Sequence, residues 1–233
     1  AFAGAYLVSE DDYGLGSGPV VFSFFFTAFL GLISVIGYMS STEKKREILK
    51  AKDDFFFYFK RLSRLFIITF ILFMGYIFFL TISPVYLTDI AGSSNRMGWI
   101  VLCSGLIHAI TAPYAGNLID KYPRETAIRI ASAFVIFSML AYSFTVNLYA
   151  ITLVFTIPIY MTFFLGARTI VADTVPYDLR ARMMGLLSSF SLLGSGLGSL
   201  IVGELLLNYD EQQVFLFGAL IASIAFILSL IHI

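Results

Sequence analysis

Residues 65–87 read LFIITFILFMGYIFFLTISPVYL, an apolar run of 23 residues without a charged side chain. A helix needs about 20 apolar residues to cross the hydrocarbon core of a bilayer, so this run is long enough to do so. The composition around it agrees, because 59% of the 233 residues are hydrophobic and only 13% are charged. Soluble domains carry about 25% charged residues. The sequence therefore indicates an integral membrane protein.

Six other segments share this length and apolar character. Each must be helical, because a membrane span has to satisfy its own backbone hydrogen bonds. Pro158 interrupts one of them and predicts a kink there. We therefore expect an all-α integral membrane protein with seven transmembrane helices. The predicted spans are 19–40, 65–87, 98–118, 127–146, 149–172, 183–206 and 213–233.

Basic residues are distributed unevenly around these spans. If segment 41–64 is cytoplasmic and the sides alternate, 14 of the 15 Lys and Arg residues fall on the cytoplasmic side and only Arg96 falls outside. Acidic residues show no such bias. The positive-inside rule then predicts a multi-pass protein of the cell membrane. Its N-terminus is expected outside, and the 41–64 loop and the C-terminus are expected in the cytoplasm.

Several kinds of chemistry have no signature in the sequence. A single cysteine, Cys103, allows neither an intrachain disulfide nor a cysteine metal cluster. Neither a nucleotide-binding G-x-x-x-x-G-K-[ST] sequence nor a zinc-binding H-E-x-x-H sequence occurs. We expect no enzymatic activity, no cofactor, no metal and no nucleic-acid partner. The expected partners are the lipid bilayer and a small-molecule substrate.

A short loop between the predicted spans 98–118 and 127–146 carries the most specific motif. It reads Gly116-x-Leu118-x-Asp120-Lys121-x-x-Arg124. This loop resembles the signature G-x-L-x-D-R/K-x-G-R-R/K of the major facilitator superfamily, which lies between the second and third helices of a six-helix half. Pro123 and Glu125 depart from that signature, at its second glycine and its final basic residue.

The resemblance implies a chain divided into three parts. Residues 1–40 would end an N-terminal half, 41–64 would link the halves, and 65–233 would form a C-terminal six-helix half. A weak internal repeat agrees with this division, because residues 4–8 and 203–207 each precede acidic residues and an apolar run. Internal repeats are typical of transporters. We therefore expect a fragment whose missing N-terminal half is a partner of the residues present.

Charged residues of two loops on the predicted cytoplasmic side are candidates for a gate. Asp120 could accept hydrogen bonds from the first N–H groups of a neighbouring helix. Arg124 could pair with Asp173, which opens a second family-like motif, Asp173-x-x-Pro176-x-x-x-Arg180-x-Arg182-x-x-Gly185. Both loops could also carry charges that only set membrane topology. The candidate gating residues are Gly116, Asp120, Lys121, Arg124, Asp173, Arg180 and Arg182.

Two stripes of small residues predict close helix packing. One stripe consists of Gly105, Ala109, Ala112 and Gly116, spaced by four, three and four residues. The other contains Gly194 and Gly198, spaced as G-x-x-x-G. Small residues at such spacing let the backbones of membrane helices approach closely.

Polar groups within the spans are candidates for substrate or proton binding, because ionisable residues inside a membrane are expensive. His108 lies near the middle of its span, where it could also be neutral and bonded to a neighbouring helix. Arg168 could instead extend its side chain to the cytoplasmic interface. The complete set of candidates is His108, Arg168, Tyr76, Tyr160 and Glu204.

These observations favour a secondary active transporter that moves a small solute by alternating access, coupled to an ion or proton gradient. The alternative is a seven-helix membrane receptor or sensor, which the number of spans and the external N-terminus also fit. The last two spans contain no lysine that could carry a retinal Schiff base. Neither the substrate nor the direction of transport follows from the sequence.

Overall fold

The computed structural model describes residues 55–157 and 159–230, apart from nine side chains within helices. These side chains are Ser94, Ala112, Ala115, Leu118, Ile119, Asp120, Ile159, Tyr160 and Met161. Within the described residues the only regular elements are seven helices. They are α1 (Phe55–Ala91), α2 (Ser94–Lys121), α3 (Arg124–Phe144), α4 (Leu148–Thr156), α5 (Ile159–Thr174), α6 (Tyr177–Leu205) and α7 (Glu211–Leu230). The predicted span 19–40 lies outside the described residues.

Helix boundaries differ from the predicted spans at two places. Helix α1 begins at Phe55, so the last ten residues of the segment 41–64 belong to this helix. The predicted span 149–172 consists of two helices, because α4 ends at Thr156 and α5 begins at Ile159. Ile157 has an extended conformation with ψ of 126°, as expected for a residue that precedes proline. The interruption predicted at Pro158 is therefore a break between two helices.

Four of the helices are long and apolar enough to cross a membrane, judged by length and composition: α1, α3, α6 and α7. Helix α2 has 28 residues and is not among them. Helices α4 and α5 have 9 and 16 residues, so neither could cross a bilayer alone. The fold is all-helical across the described residues, as predicted.

Two tight turns connect α1 to α2 and α3 to α4. Gly92, with φ of +71°, ends α1, because glycine adopts this left-handed conformation without steric cost. Ser93 follows as the N-cap of α2, and its side chain accepts a hydrogen bond from the backbone N–H of Arg96. The side chain of Asn147 caps α4 in the same way. Connections this short join neighbouring antiparallel helices.

Helix α1 lies at the centre of the packed region. It contacts α6 and α7 extensively, while α3 packs against α7 and α5. Helix α2 lies at the side and touches α1, α4 and α5 over a smaller area. Aromatic rings fill the interior between α1, α3 and α7, with ring centroids of Tyr142 and Phe215 5.1 Å apart and those of Phe79 and Tyr142 5.0 Å apart.

Candidate functional site

A cavity of about 530 Å³ lies between α1 and the helices α2 to α6. Its volume falls within the range of about 300–1,000 Å³ that is usual for small-molecule sites. Six of the described helices contribute to its wall, so the cavity depends on how these helices pack together. The lining residues are Phe73, Tyr76, Phe79, Leu80, His108, Val135, Ser138, Val154, Phe155, Ile157, Phe164, Arg168, Ser188, Ser191, Leu192 and Ser195.

Aromatic rings from α1, α4 and α5 form one side of the cavity. The ring of Phe73 lies 5.1 Å from that of Phe164, in an edge-to-face arrangement. Tyr76 and Phe79 stack with ring centroids 6.2 Å apart, and Phe155 lies 6.1 Å from Phe79. Such rings present flat apolar surface with little side-chain entropy to lose, and they suit a flat apolar solute.

Arg168 is the only residue with a permanent charge among the described residues that line the cavity. The carbon at the centre of its guanidinium group lies 4.9 Å from the centroid of the Phe164 ring. A cation over an aromatic face is attracted by the negative potential of that face. The ring therefore supports the guanidinium at the wall of the cavity.

Helix α6 supplies three hydroxyl groups to the wall of the cavity. Ser188, Ser191 and Ser195 are separated by three and four residues, so they lie on one face of the helix. Ser191 donates a hydrogen bond to the carbonyl oxygen of Ser188 at 2.7 Å. These serines were not predicted from the sequence, although their helical spacing within an apolar segment was a usable signal.

His108 reaches the cavity from α2 and is connected to the break between α4 and α5. The buried hydroxyl of Ser104 donates a hydrogen bond to the carbonyl oxygen of Phe155 at 3.2 Å. The Nε2 atom of His108 lies 3.5 Å from the same hydroxyl oxygen. Phe155 is in the last turn of α4, where carbonyl groups lack partners within the helix. Ser104 satisfies one of these carbonyls and also positions the imidazole.

Three of the five predicted substrate or proton candidates lie around this one cavity: Tyr76, His108 and Arg168. Glu204 is exposed, one residue before the end of α6, and does not line the cavity. The side chain of Tyr160 is outside the described part of the structure.

The predicted gating residues lie away from the cavity, around the connections from α2 to α3 and from α5 to α6. Arg124 Nε is 3.4 Å from Asp173 Oδ2, and the two side chains are 32% and 60% exposed. A pocket of about 290 Å³ adjoins this pair and is lined by Arg61, Leu62, Arg124, Glu125, Ile170, Asp173 and Thr174. An ion pair this exposed contributes only about 0–1 kcal/mol to stability, so it can break without unfolding the protein.

Other members of the gating set have different surroundings. Arg180 donates a hydrogen bond from Nε to the carbonyl oxygen of Val175 at 3.1 Å, just beyond the end of α5. Lys121 and Arg182 are exposed, and the side chain of Asp120 is not described. A Cβ built on Gly116 meets no described atom within 4 Å, so this glycine is not at a close contact between the described helices.

A further charged group near this place was not predicted. Glu125 Oε2 lies 3.7 Å from Arg129 Nη2, one turn further along α3. Arg129 Nε also donates a hydrogen bond to the carbonyl oxygen of Ser229 in α7, at 3.1 Å. The spacing of four residues between acid and base was the signal that could have revealed the first contact.

The two stripes of small residues differ. A Cβ built on Gly194 would collide with the carbonyl oxygen of Phe70, and one built on Gly198 would collide with the carbonyl oxygen of Met74. Helix α6 therefore lies directly against the backbone of α1 at these glycines. On α2, Gly105 is half-buried and Ala109 is exposed, and the Ala112 side chain is not described. No described helix packs closely against that stripe.

The described helices include four membrane-spanning candidates, three of which (α1, α3 and α6) line a solute-sized cavity, as fits a multi-pass membrane transport protein. Residues 65–233 match the Major Facilitator Superfamily. The chain belongs to this superfamily, as its loop motif predicted.

Two curated relatives are similar to the chain at low identity. Quinolone resistance protein NorA of Staphylococcus aureus (strain Mu50 / ATCC 700699) is 25% identical over 180 residues, which are 74% of this chain and 45% of the relative. Multidrug resistance protein 1 of Bacillus subtilis (strain 168) is 25% identical over 173 residues, 70% of this chain and 42% of the relative. The chain thus spans somewhat less than half the length of these relatives.

Proposed function

We propose that the protein containing this chain is a secondary active transporter that moves a small, largely apolar solute through the cavity between α1 and α6. The observation that carries this proposal is the cavity itself, whose wall carries both aromatic rings and hydroxyl groups and whose volume lies within the range of small-molecule sites. Membership of the superfamily favours transport over the alternative of a receptor or sensor.

The names of the two relatives suggest the kind of solute. One relative is a quinolone resistance protein and the other a multidrug resistance protein. We propose export of aromatic solutes of varied structure as the activity of the whole protein. A wall of Phe and Tyr rings supports this, since such rings contact many flat molecules without requiring one pattern of hydrogen bonds.

We propose that the Arg124–Asp173 contact belongs to a gate on the cytoplasmic side, together with Asp120. The pair joins the start of α3 to the end of α5, 3.4 Å apart and partly exposed to solvent. Because an exposed ion pair is weak, the free energy needed to separate it is small. Alternating access requires contacts of this kind, which hold one conformation and break in the other.

His108 is the proposed site of proton coupling. It lines the cavity that also contains Arg168, so protonation would place a second positive charge beside the solute. Its link through Ser104 to the break between α4 and α5 offers a route by which a change in its hydrogen bonding could alter that break. Histidine is suited to this role because its imidazole can both accept and release a proton.

Transport through this cavity is tested by filling it. The full-length protein is reconstituted in proteoliposomes, and the movement of a fluorescent quinolone driven by a proton gradient is measured. Ser188 lines the cavity, whereas its neighbour Ser189 is exposed and does not. We expect Ser188→Phe to lower the rate to about a tenth or less, because the ring occupies the solute volume, while Ser189→Phe leaves it nearly unchanged. Equal rates for the two variants would show that the solute passes elsewhere.

The same assay separates the gate and the coupling group. Asp173→Arg should slow transport, and combining it with Arg124→Asp should restore part of the rate by re-forming the pair with reversed charges. Asp120→Asn should slow transport without loss of expression. Wild-type rates in Asp173→Arg and Asp120→Asn would exclude the gate. An unchanged pH profile of transport in His108→Ala would exclude coupling through this histidine.

A further inference from the structure

The guanidinium of Arg168 has no anionic partner among the described residues. The ion pairs in this part of the chain join Arg124 to Asp173 and Arg129 to Glu125. Arg168 instead lies over the ring of Phe164 at the cavity wall, where no lining residue is acidic. Arginine does not lose its proton in proteins, so its charge is permanent. Arg168 is exposed at the cavity wall, so its charge is accessible to an anionic group of a solute.

The sequence places no carboxylate within any predicted span except near its end. The predicted span 19–40, which is outside the described residues, contains no acidic residue. In the described helices the acidic residues lie close to helix ends, as Asp173 does in α5 and Glu204 in α6. No carboxylate among the described side chains therefore lines the cavity.

Two unbonded hydroxyl groups accompany this charge. Ser188 and Ser195 line the cavity from α6, and neither hydroxyl forms a hydrogen bond with another described residue. Hydroxyl groups can donate to the oxygen atoms of a carboxylate, and arginine can bind both of those oxygens at once. Cation and hydroxyl donors around one cavity suit an anionic group, and the rings of Phe73 and Tyr76 suit an aromatic body.

We propose that the cavity selects monovalent organic anions, with an aromatic body against the rings of α1 and α5 and a carboxylate bound by Arg168. This inference rests on the proposed function, because it names the substrate class of the same cavity. Phe164 is a positioning residue in this arrangement. Its ring centroid lies 4.9 Å from the central carbon of the Arg168 guanidinium, and the ring itself carries no negatively charged group.

The test is equilibrium binding of three naphthalene probes of similar shape to the purified full-length protein, measured by calorimetry. The probes are 2-naphthoate, neutral 2-naphthalenemethanol and cationic 2-naphthylmethylamine. We expect naphthoate to bind at least about tenfold more tightly than the others, because a hydrogen bond to a charged group contributes more than one to a neutral group. Stronger binding of the cation, equal binding of all three, or no binding at about 1 mM would overturn the proposal.

Variants of Arg168 test whether this residue causes the preference for naphthoate. Arg168→Gln should weaken naphthoate binding by about 10- to 100-fold and leave the neutral probe nearly unaffected. Arg168→Lys keeps the charge without the two-pronged geometry and should lose less. Lys60→Gln is the matched control, because Lys60 is an exposed cation outside the cavity. Equal weakening of naphthoate and neutral probe in Arg168→Gln would assign the residue to general folding of the cavity and contradict the proposal.

Two further measurements distinguish a solute from a lipid headgroup and binding from transport. If an anionic phospholipid competes with naphthoate and Arg168→Gln abolishes that competition, the bound anion is a lipid headgroup and the solute proposal is wrong.

Binding is measured without a membrane gradient, so it is independent of transport. A protein that binds naphthoate selectively but moves no solute in proteoliposomes would refute the proposed function and retain the anion site. A protein that transports neutral and anionic solutes equally would retain the proposed function and refute the anion site.

Discussion

Helices α6 and α2 carry the same kind of small-residue stripe but are attached to the rest of the protein by different means. At Gly194 and Gly198, α6 lies so close to the backbone of α1 that a Cβ would collide with carbonyl oxygens. On α2, Ala109 is exposed and Gly116 faces no described atom within 4 Å. The spacing of small residues therefore shows that a helix is able to pack closely, but not that another helix is there.

A polar contact attaches α2 where the close packing is absent. The hydroxyl of Ser104, on α2, donates to the carbonyl oxygen of Phe155 on α4. This hydrogen bond adds to the small contact areas of α2 with α1, α4 and α5, whereas the α1–α6 contact is a more extensive surface that extends over both glycines and includes Met74 and Ile77. A change in α6 should therefore disturb a larger part of the fold than a comparable change in α2.

The largest effect is expected at the α6 glycines. Gly194→Ala and Gly198→Ala each force the two helices apart, because the new methyl group meets backbone atoms of α1 that cannot rotate away. We expect each to lower the free energy of unfolding by about 2–3 kcal/mol or more, at or above the usual range for overpacking. The measurement is unfolding of the full-length protein in mixed micelles, followed by circular dichroism.

Gly196→Ala provides the control on the same helix. A Cβ at Gly196 meets no described atom within 4 Å, so this substitution should raise stability by about 0.5–1 kcal/mol through the better helix propensity of alanine. The same change would then have opposite signs at positions two residues apart. Similar losses at Gly194, Gly196 and Gly198 would contradict the difference between packed and open faces.

The general fold could be predicted because membrane spans depend on local composition. The apolar run 65–87 identified α1, and the loop Gly116–Arg124 identified the superfamily that residues 65–233 match. Boundaries were less predictable: α1 extends ten residues toward the N-terminus of its predicted span. Charged and aromatic residues at 55–64 are compatible with a helix at the membrane surface, and no composition rule sets where such a helix begins.

The cavity was only partly predictable for a different reason. His108 and Arg168 were recognisable because ionisable groups are rare in apolar spans. Ser188, Ser191 and Ser195 were not, since serine is common in membrane helices and often bonds to its own backbone. Glu204 was chosen by the same rule as Arg168, yet it lies at the end of α6 and does not line the cavity. The residue type indicated a candidate, and the packing of six helices determined which candidates share a wall.

An intermediate effect is expected at Ser104. Ser104→Ala removes the only hydrogen bond that a described side chain gives to the Phe155 carbonyl. We expect a loss of about 1 kcal/mol, which is the usual net value of a buried hydrogen bond. Thr111→Ala is the control on the same helix, because the Thr111 hydroxyl bonds only within α2, at 2.7 Å from the Ile107 carbonyl oxygen. If Ser104→Ala lowers the free energy of unfolding no more than Thr111→Ala does, the Ser104 hydrogen bond does not help to hold α2 in place.

The smallest effect is expected on the open stripe of α2. Ala109→Leu adds three carbon atoms on an exposed face, so we expect stability to change by no more than about 0.5 kcal/mol, as is usual for surface substitutions. The matched substitution on α6 is Gly198→Leu, on the packed stripe, where any side chain collides with the Met74 carbonyl oxygen and should cost more than about 2 kcal/mol. The same unfolding assay compares the two variants. If Ala109→Leu destabilises the full-length protein as strongly as Gly198→Leu, a part of the protein beyond the described residues packs on α2, and the two stripes are equivalent after all.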